Sequence, residues 1–203
     1  MKKYAVLHEP GDIVTLAGTR FVVLDVERRG SLPDSLFLLA LESVGASEFG
    51  SSNNYAESDL KKAVDKWLED MGKRGLDNAK LIPREIDLTT LDGSGCYGKL
   101  SVKAAPLTLD EAREYADIIP NAERWCWLAT GWSGPSKSDG DLALYVFSSG
   151  GWGNDYCSYS RGIRPALKIP SDLLLDSADK PDLSEVPTDT LLEEIRRRVV
   201  DKA

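Results

Sequence analysis

Trp125-Cys126-Trp127-Leu128-Ala129-Thr130-Gly131 opens the stretch whose reading decides the fold, and Arg161-Gly162-Ile163-Arg164-Pro165-Ala166-Leu167-Lys168-Ile169 closes it. Both ends are apolar enough to be scaffold. Between them, Ser148-Ser149-Gly150-Gly151-Trp152-Gly153-Asn154-Asp155-Tyr156-Cys157-Ser158-Tyr159-Ser160 is almost wholly Gly, Ser, Asn, Asp and aromatic. That is the composition of a displayed binding surface. Tyr and Trp give rigid contact area, and Ser, Gly and Asn give adaptable hydrogen bonding. A plain glycine-rich hairpin that binds nothing has the same composition, because loops more often connect than act.

Upstream, residues 1–50 read as an antiparallel meander. Asp12–Leu16, Arg20–Val26 and Ser35–Leu41 are β-branched or apolar runs, separated by Gly18 and by the turn residues 30–34. Residues 53–74 read as a helix, with Leu60, Val64, Trp67, Leu68 and Met71 at helical spacing, Ser58 as N-cap and Gly72 or Gly75 as stop. This Trp/Met stripe is core packing. Residues 82–107 are loop-rich, with weak strands at Ile86–Leu88 and Leu100–Val102. Thr108-Leu109-Asp110-Glu111 is a capping box that starts a second helix, whose buried face is Leu109, Ala112, Tyr115 and Ala116 and which Pro120 ends. The order gives an α+β domain over 1–169. An Asp/Ser/Pro-rich linker, 170–187, and a C-terminal helix, 188–203, follow. Leu191, Leu192, Ile195 and Val199 form one stripe of that helix, which suits docking on the domain, holding a partner or self-association.

The charge balance narrows the partners. With 25 Lys and Arg against 33 Asp and Glu, the net charge is −8. Phosphate contacts need clustered cations, and the one cluster, Arg196-Arg197-Arg198, sits among acids, so nucleic acid is not an expected partner. No apolar run approaches the roughly 20 residues of a membrane span. The N-terminal segment has no apolar stretch behind its lysines, so a signal peptide is not expected. The expected location is the cytoplasm or a phage particle.

Chemical motifs are sparse. Gly93, Gly95 and Gly98 match G-x-G-x-x-G, but the next residues, Lys99–Val102, are strand-like where a dinucleotide site needs a helix. His8 is the only histidine, and Cys96, Cys126 and Cys157 form no CxxC, so zinc chemistry is not expected. Asp139, Asp141, Asn154 and Asp155 have the oxygen chemistry of a calcium site and equally that of solvated turns. Neither metal nor cofactor is expected, and no catalytic residues are assigned.

The Trp125–Leu128 cluster, the Gly151-Trp152-Gly153 turn and the Arg161–Leu167 ending resemble the end of a C-type-lectin-like domain. The resemblance is to the branch that includes the formylglycine-generating-enzyme-like proteins. More closely, the chain resembles uncharacterised domains of gut bacteria and their phages, in which a Trp-Leu-Ala-Thr stretch precedes a variable hairpin ending in Gly-Val-Arg-Pro-Ala. Phe21–Asp25, Asn54–Leu60 with Trp67-Leu68, and Leu107–Arg113 resemble the first strand and the two helices of that group, so the likeness covers about residues 10 to 169. It implies two helices around small antiparallel sheets that carry long irregular loops. It also implies kinship with the variable proteins of diversity-generating retroelements, whose changing positions lie just before the last core strand. In such systems adenine mutagenesis, often of Asn codons, yields Asn, Asp, Tyr, Ser, Phe, Cys and Gly, and 148–160 is built almost wholly from that set. Sugar-binding C-type lectins carry a Glu-Pro-Asn or Gln-Pro-Asp triplet and a contiguous Trp-Asn-Asp. Here the triplet is missing and Gly153 interrupts Trp152-Gly153-Asn154-Asp155.

The expected function is therefore a ligand-binding display domain rather than an enzyme. Ser148, Trp152, Asn154, Asp155, Tyr156, Ser158, Tyr159 and Ser160 would contact a protein or glycan, with Trp152, Tyr156 and Tyr159 as one aromatic surface. Two alternatives stand beside it. One is an oxidase of the formylglycine-generating type, which needs two thiols together in a cleft. The other is a phage structural protein assembled through its last helix.

Overall fold

Apolar runs that do not alternate with polar residues belong to strands buried on both faces, and two such runs organise this molecule. The computed structural model describes residues 2–4, 8–29, 32–171 and 173–177. Its N-terminal strands are β1 (Lys2–Tyr4), β2 (Ile13–Leu16), β3 (Thr19–Arg29), β4 (Leu32–Ala40) and β5 (Ala46–Glu48). In β3, Phe21 and Val23 face one core cluster and Val22 and Leu24 the other; in β4, Leu36 and Leu38 face the first and Phe37 and Leu39 the second. The period of two along each strand sends successive side chains to opposite faces.

One face is covered by helix α1 (Asp59–Lys73), which follows a 3-10 turn at Tyr55–Glu57. Ser58 caps it by accepting from the Lys61 amide at 2.9 Å, and Leu60, Val64, Leu68 and Met71 are buried. Trp67 is half-buried against the Phe21 ring. Then come β6 (Arg84–Asp87) and β7 (Lys99–Val102), an antiparallel pair, and the short strand β8 (Ala104–Ala105). The glycines 93, 95 and 98 make turns that lead into β7, not a helix.

The second face is covered by helix α2 (Leu109–Glu114), with both hydrogen bonds of its capping box present between Thr108 and Glu111. Leu109 and Ala112 are buried, and Tyr115 meets Phe37 edge-on at 5.7 Å. Ala116, expected on the buried face, is exposed because the helix ends at Glu114 before reaching it.

The remaining strands are β9 (Cys126–Gly131), β10 (Leu142–Val146), β11 (Trp152–Tyr156), β12 (Ser160–Gly162), β13 (Ala166–Pro170) and β14 (Leu174–Ser177). Among the described residues they complete a seven-stranded sheet, β1-β14-β2-β3-β4-β13-β8, and a five-stranded sheet, β11-β10-β9-β12-β5. The chain crosses between the sheets at 163–165. Gly162 is required there, since a Cβ on it would lie 2.8 Å from Cys126 Sγ and 2.9 Å from Ser43 Oγ.

The result is an α+β fold with mostly sheet and two helices among the described residues. The adjacent strands β2, β3 and β4 and the strand after Arg164 form where the sequence implies them, whereas the first helix begins at Asp59 and not at 53, and the second ends at Glu114, short of Pro120. The linker assignment needs correcting at its start. Residues 174–177 pair with β1 and β2 through backbone, so the scaffold extends past residue 169. The rest of that segment, from 178, and the helix expected over 188–203 lie outside the described residues.

Candidate binding surface

The polar stretch forms the β10–β11 hairpin and the turn that follows it. Val146 pairs with Trp152 and Leu142 with Tyr156. The connection is closed by the Phe147 amide donating to Gly151 O at 2.7 Å and the Gly150 amide to Phe147 O at 3.0 Å. Gly150 has φ +87°, a conformation that favours glycine. β11 is the outer strand of its sheet. The base of the hairpin is anchored. The Cys157 amide donates to Asp141 O at 2.8 Å, and Cys157 O accepts from the Phe49 amide at 2.8 Å.

The expected contact residues divide. Trp152, Tyr156 and Tyr159 are 42%, 52% and 51% exposed, and Ser158 and Ser160 are exposed as well. Ser148, Asn154 and Asp155 are half-buried, and Cys157 within the same stretch is buried. Tyr156 and Tyr159 meet edge-on with centroids 5.9 Å apart. Trp152 does not join them. It sits four residues along β11, roughly 13 Å at strand rise, with the Arg113 guanidinium 5.3 Å from its ring centroid. The Tyr156–Tyr159 pair and Trp152 therefore have different ring neighbours along the hairpin.

Asp155 has a structural task. Its Oδ1 accepts from the Tyr156 amide at 2.9 Å, and its Oδ2 pairs with Arg161 Nη2. Arg161 in turn lies over three rings, 5.2 Å from Trp125, 5.6 Å from Tyr145 and 5.7 Å from Tyr159. Trp125 stacks on Tyr145 with centroids 5.3 Å apart and planes 13° apart, and Phe147 closes edge-on against both. The close approach of β11 to this cluster requires Gly153, whose Cβ would fall 2.9 Å from Tyr145 Oη. Burial raises the Tyr145 phenol pKa, with a smaller push from Asp155 that Arg161 opposes.

Beside the cluster runs an open groove of ≈ 440 Å³, lined by Glu123, Arg124, Trp125, Ser148, Ser160 and Arg161 among others. It brings Ser148 and Ser160 together with Trp125, which the sequence reading assigns to the scaffold and which is 41% exposed. Trp125, Tyr145, Phe147 and Arg161 are absent from the expected contact set. Their signal is present in the spacing: Trp125 with Trp127 and Tyr145 with Phe147 stand two apart, the spacing that puts side chains on one side of an extended chain.

Two of the three thiols lie beneath this surface and are not exposed on it. Cys126 lies against Ser43, Gly162 and Arg164, and burial pushes its thiol up to about 11. Cys157 is in the main core cluster, where burial, then Asp141, pushes its thiol up to about 12. Cys96 is exposed. Reaction with a disulfide reagent at neutral pH is expected to titrate one thiol in the folded protein and all three after unfolding. Rapid native reaction of two or more would contradict these burials, since the thiolate is the nucleophile. His8 Nδ1 lies 3.3 Å from Asp12 Oδ2. Among the described residues no three His, Cys, Asp or Glu side chains gather as a metal site, and Asp155 is committed to Arg161. No helix among them is long and apolar enough to cross a membrane.

Comparison with protein-family models, curated proteins and solved structures finds no match to this chain.

Proposed function

We propose that this chain is a ligand-binding display domain of the C-type-lectin-like type, and that its 148–160 segment is the diversified part of a retroelement variable protein. The observation that carries the reading is the partition within that segment. Tyr156, Ser158, Tyr159 and Ser160 are exposed on one turn, while Cys157, Asp155 and the paired backbone hold the turn to the core. Such a segment can change its contact residues without changing its path. The ligand is a protein or glycan that covers the Tyr156–Tyr159 pair and the neighbouring Trp125 groove. Aromatic and Arg side chains there match the residue types that dominate interface energetics.

The alternative of formylglycine-generating-type chemistry has less behind it. It needs two thiols in a shared cleft, and Cys126 and Cys157 have different neighbours and raised pKa values.

The test separates contact from scaffold within the same hairpin. Alanine at Tyr156, Ser158 or Tyr159 is expected to change stability by less than about 0.5 kcal/mol, as at ordinary surface sites. Asp155→Ala is expected to cost about 1–2 kcal/mol, because Arg161 loses its charged hydrogen-bond partner at a mostly buried position. Urea unfolding of the four variants measures this. A library randomised at Ser148, Tyr156, Ser158, Tyr159 and Ser160 should then yield folded members that bind an arbitrary test protein. If most members fail to fold, the segment is scaffold and the display reading is lost. For diversification, the locus is expected to carry a reverse transcriptase gene and a near-copy of the 3′ coding segment; their absence would remove that part of the proposal.

A further inference from the structure

Tyr156 and Tyr159 are the most exposed large apolar side chains among the described residues, and strand register brings an acid to each end of their turn. Leu142 is the cross-strand partner of Tyr156, and Asp141 precedes it, with its carbonyl accepting the Cys157 amide at 2.8 Å. At the other end Glu48 is the register partner of Ser160, so these two side chains stand on one face of the β5–β12 pair. Asp141 and Glu48 are exposed, and neither carboxylate has an ion pair or hydrogen bond among the described residues.

The neighbouring cations do not offset them. Arg161 pairs with Asp155 through Nη2 and donates from Nη1 to Ser160 O. Lys137, in the loop before Asp141, pairs with Asp92 at 2.6 Å. Arg124 lines the groove together with Glu123, an acid of equal charge. The exposed tyrosines are therefore flanked by uncompensated negative charge, on a chain whose net charge is −8.

This surface already holds guanidinium groups in one recurring way. Arg161 lies over Trp125, Tyr145 and Tyr159 and is tied to Asp155. Arg113 lies over Trp152 and is tied to Asp110 at 3.2 Å. Each time an aromatic ring attracts the cation through its quadrupole and a carboxylate supplies the counter-charge. Tyr156 with Asp141 beside it offers the same two groups, and no Arg or Lys among the described residues lies over its ring.

We propose that the partner of this surface is a protein presenting a basic segment. One arginine of that segment stacks on Tyr156 and pairs with Asp141, and a second basic residue faces Glu48. The inference rests on the display reading and narrows its ligand from protein or glycan to a basic protein contact. Arginine suits the site better than lysine, because its planar, weakly hydrated guanidinium stacks on a ring while it pairs with a carboxylate. A neutral glycan would gain nothing from the negative charge.

The probes are a short glycine-spaced peptide with two arginines, its glutamine and glutamate counterparts, and maltotriose. Each is titrated into the full chain and followed by tyrosine ring and backbone amide shifts. Physiological ionic strength is used, where exposed charges more than about 8 Å away are largely screened. The arginine peptide is expected to give saturable shifts at 141–142 and 156–160, and the other three probes none. Tyr156→Leu keeps apolar bulk and loses the ring, so it is expected to bind the arginine peptide about two- to fivefold more weakly. Asp141→Asn with Glu48→Gln is expected to weaken it about fivefold. Glu69→Gln with Asp117→Asn, exposed acids on α1 and after α2, changes the net charge equally and is expected to leave binding unchanged. The proposal is overturned if the arginine peptide gives no saturable shift, or if another probe occupies the turn equally well. It is also overturned if Tyr156→Leu binds like the parent, or if the control pair weakens binding as much as the Asp141 and Glu48 pair. None of these results would unseat the display reading, whose own test is whether the randomised segment folds.

Discussion

Trp127→Ala is expected to destabilise the protein by about 3–5 kcal/mol, the range for removing a fully buried Trp. The side chain is 1% exposed. Its ring meets Phe49 edge-on at 5.6 Å and Tyr145 at 6.2 Å, so truncation opens a cavity between these two rings. The indole N–H also donates to Ser47 O at 3.0 Å. Ser47 is on β5, which pairs with β12 directly after the displayed turn. The loss therefore spreads to the strand that holds Arg161. Trp127→Phe keeps a ring in place and deletes the donor, so a smaller cost of about 1–2 kcal/mol is expected. Urea denaturation of the two variants gives both numbers. An unchanged midpoint for Trp127→Ala would mean that the first strand of this module is not core.

How far the sequence carries is clearest where one local rule decides the structure. The unbroken apolar runs Phe21–Leu24 and Leu36–Leu39, set off by turn residues, identify strands, and the absence of polar residues within each run matches burial on both faces. The Thr108–Glu111 spacing identifies a helix start because both capping partners lie within one turn. The Ser58 cap and the Leu60–Met71 stripe identify α1 for the same reason. These signals are contained in a few consecutive residues.

The candidate surface obeys longer rules. Composition marks 148–160 as unusual, yet it does not separate Tyr156 from Cys157, because exposure at a turn depends on which backbone groups the neighbours capture. Asp155 looks like any polar loop residue until Arg161 is brought back against it across the turn. The Trp125–Tyr145 stack depends on the β9–β10 register, which shifts between Ala143 and Tyr145 through an irregularity with no sequence mark. Residues 174–177 read as linker because Asp, Ser and Pro surround them. Backbone pairing with β1 and β2 outweighs that composition, and the apolar Leu173-Leu174-Leu175 run was the local sign of it.

Glu111→Ala is expected to cost about 3–5 kcal/mol, comparable to Trp127→Ala, through electrostatics and not volume. The two Glu111 oxygens have different tasks. Oε2 accepts from the Thr108 amide at 2.8 Å and completes the capping box; Oε1 pairs with Arg84 Nη1. The Arg84 side chain is 8% exposed, and its Nη2 donates to Ala105 O at 3.1 Å and Pro106 O at 3.2 Å. Its guanidinium also lies 5.0 Å from the Phe37 ring centroid. Burial lowers the Arg84 pKa and the Glu111 carboxylate opposes that shift, so without Glu111 the cation is left in the core with carbonyls alone. Glu111→Gln keeps an acceptor for the Thr108 amide and loses only the charge, so about 1–3 kcal/mol is expected. Replacing both partners, Arg84→Met with Glu111→Leu, should recover much of the loss, since a buried pair is often matched by apolar residues of similar volume. The pair matters beyond stability because α2 presents Arg113 to Trp152. Melting of the three variants decides the point. A Glu111→Ala protein that melts with the parent would show that α2 is held by its apolar face alone, and the double replacement would then have nothing to restore.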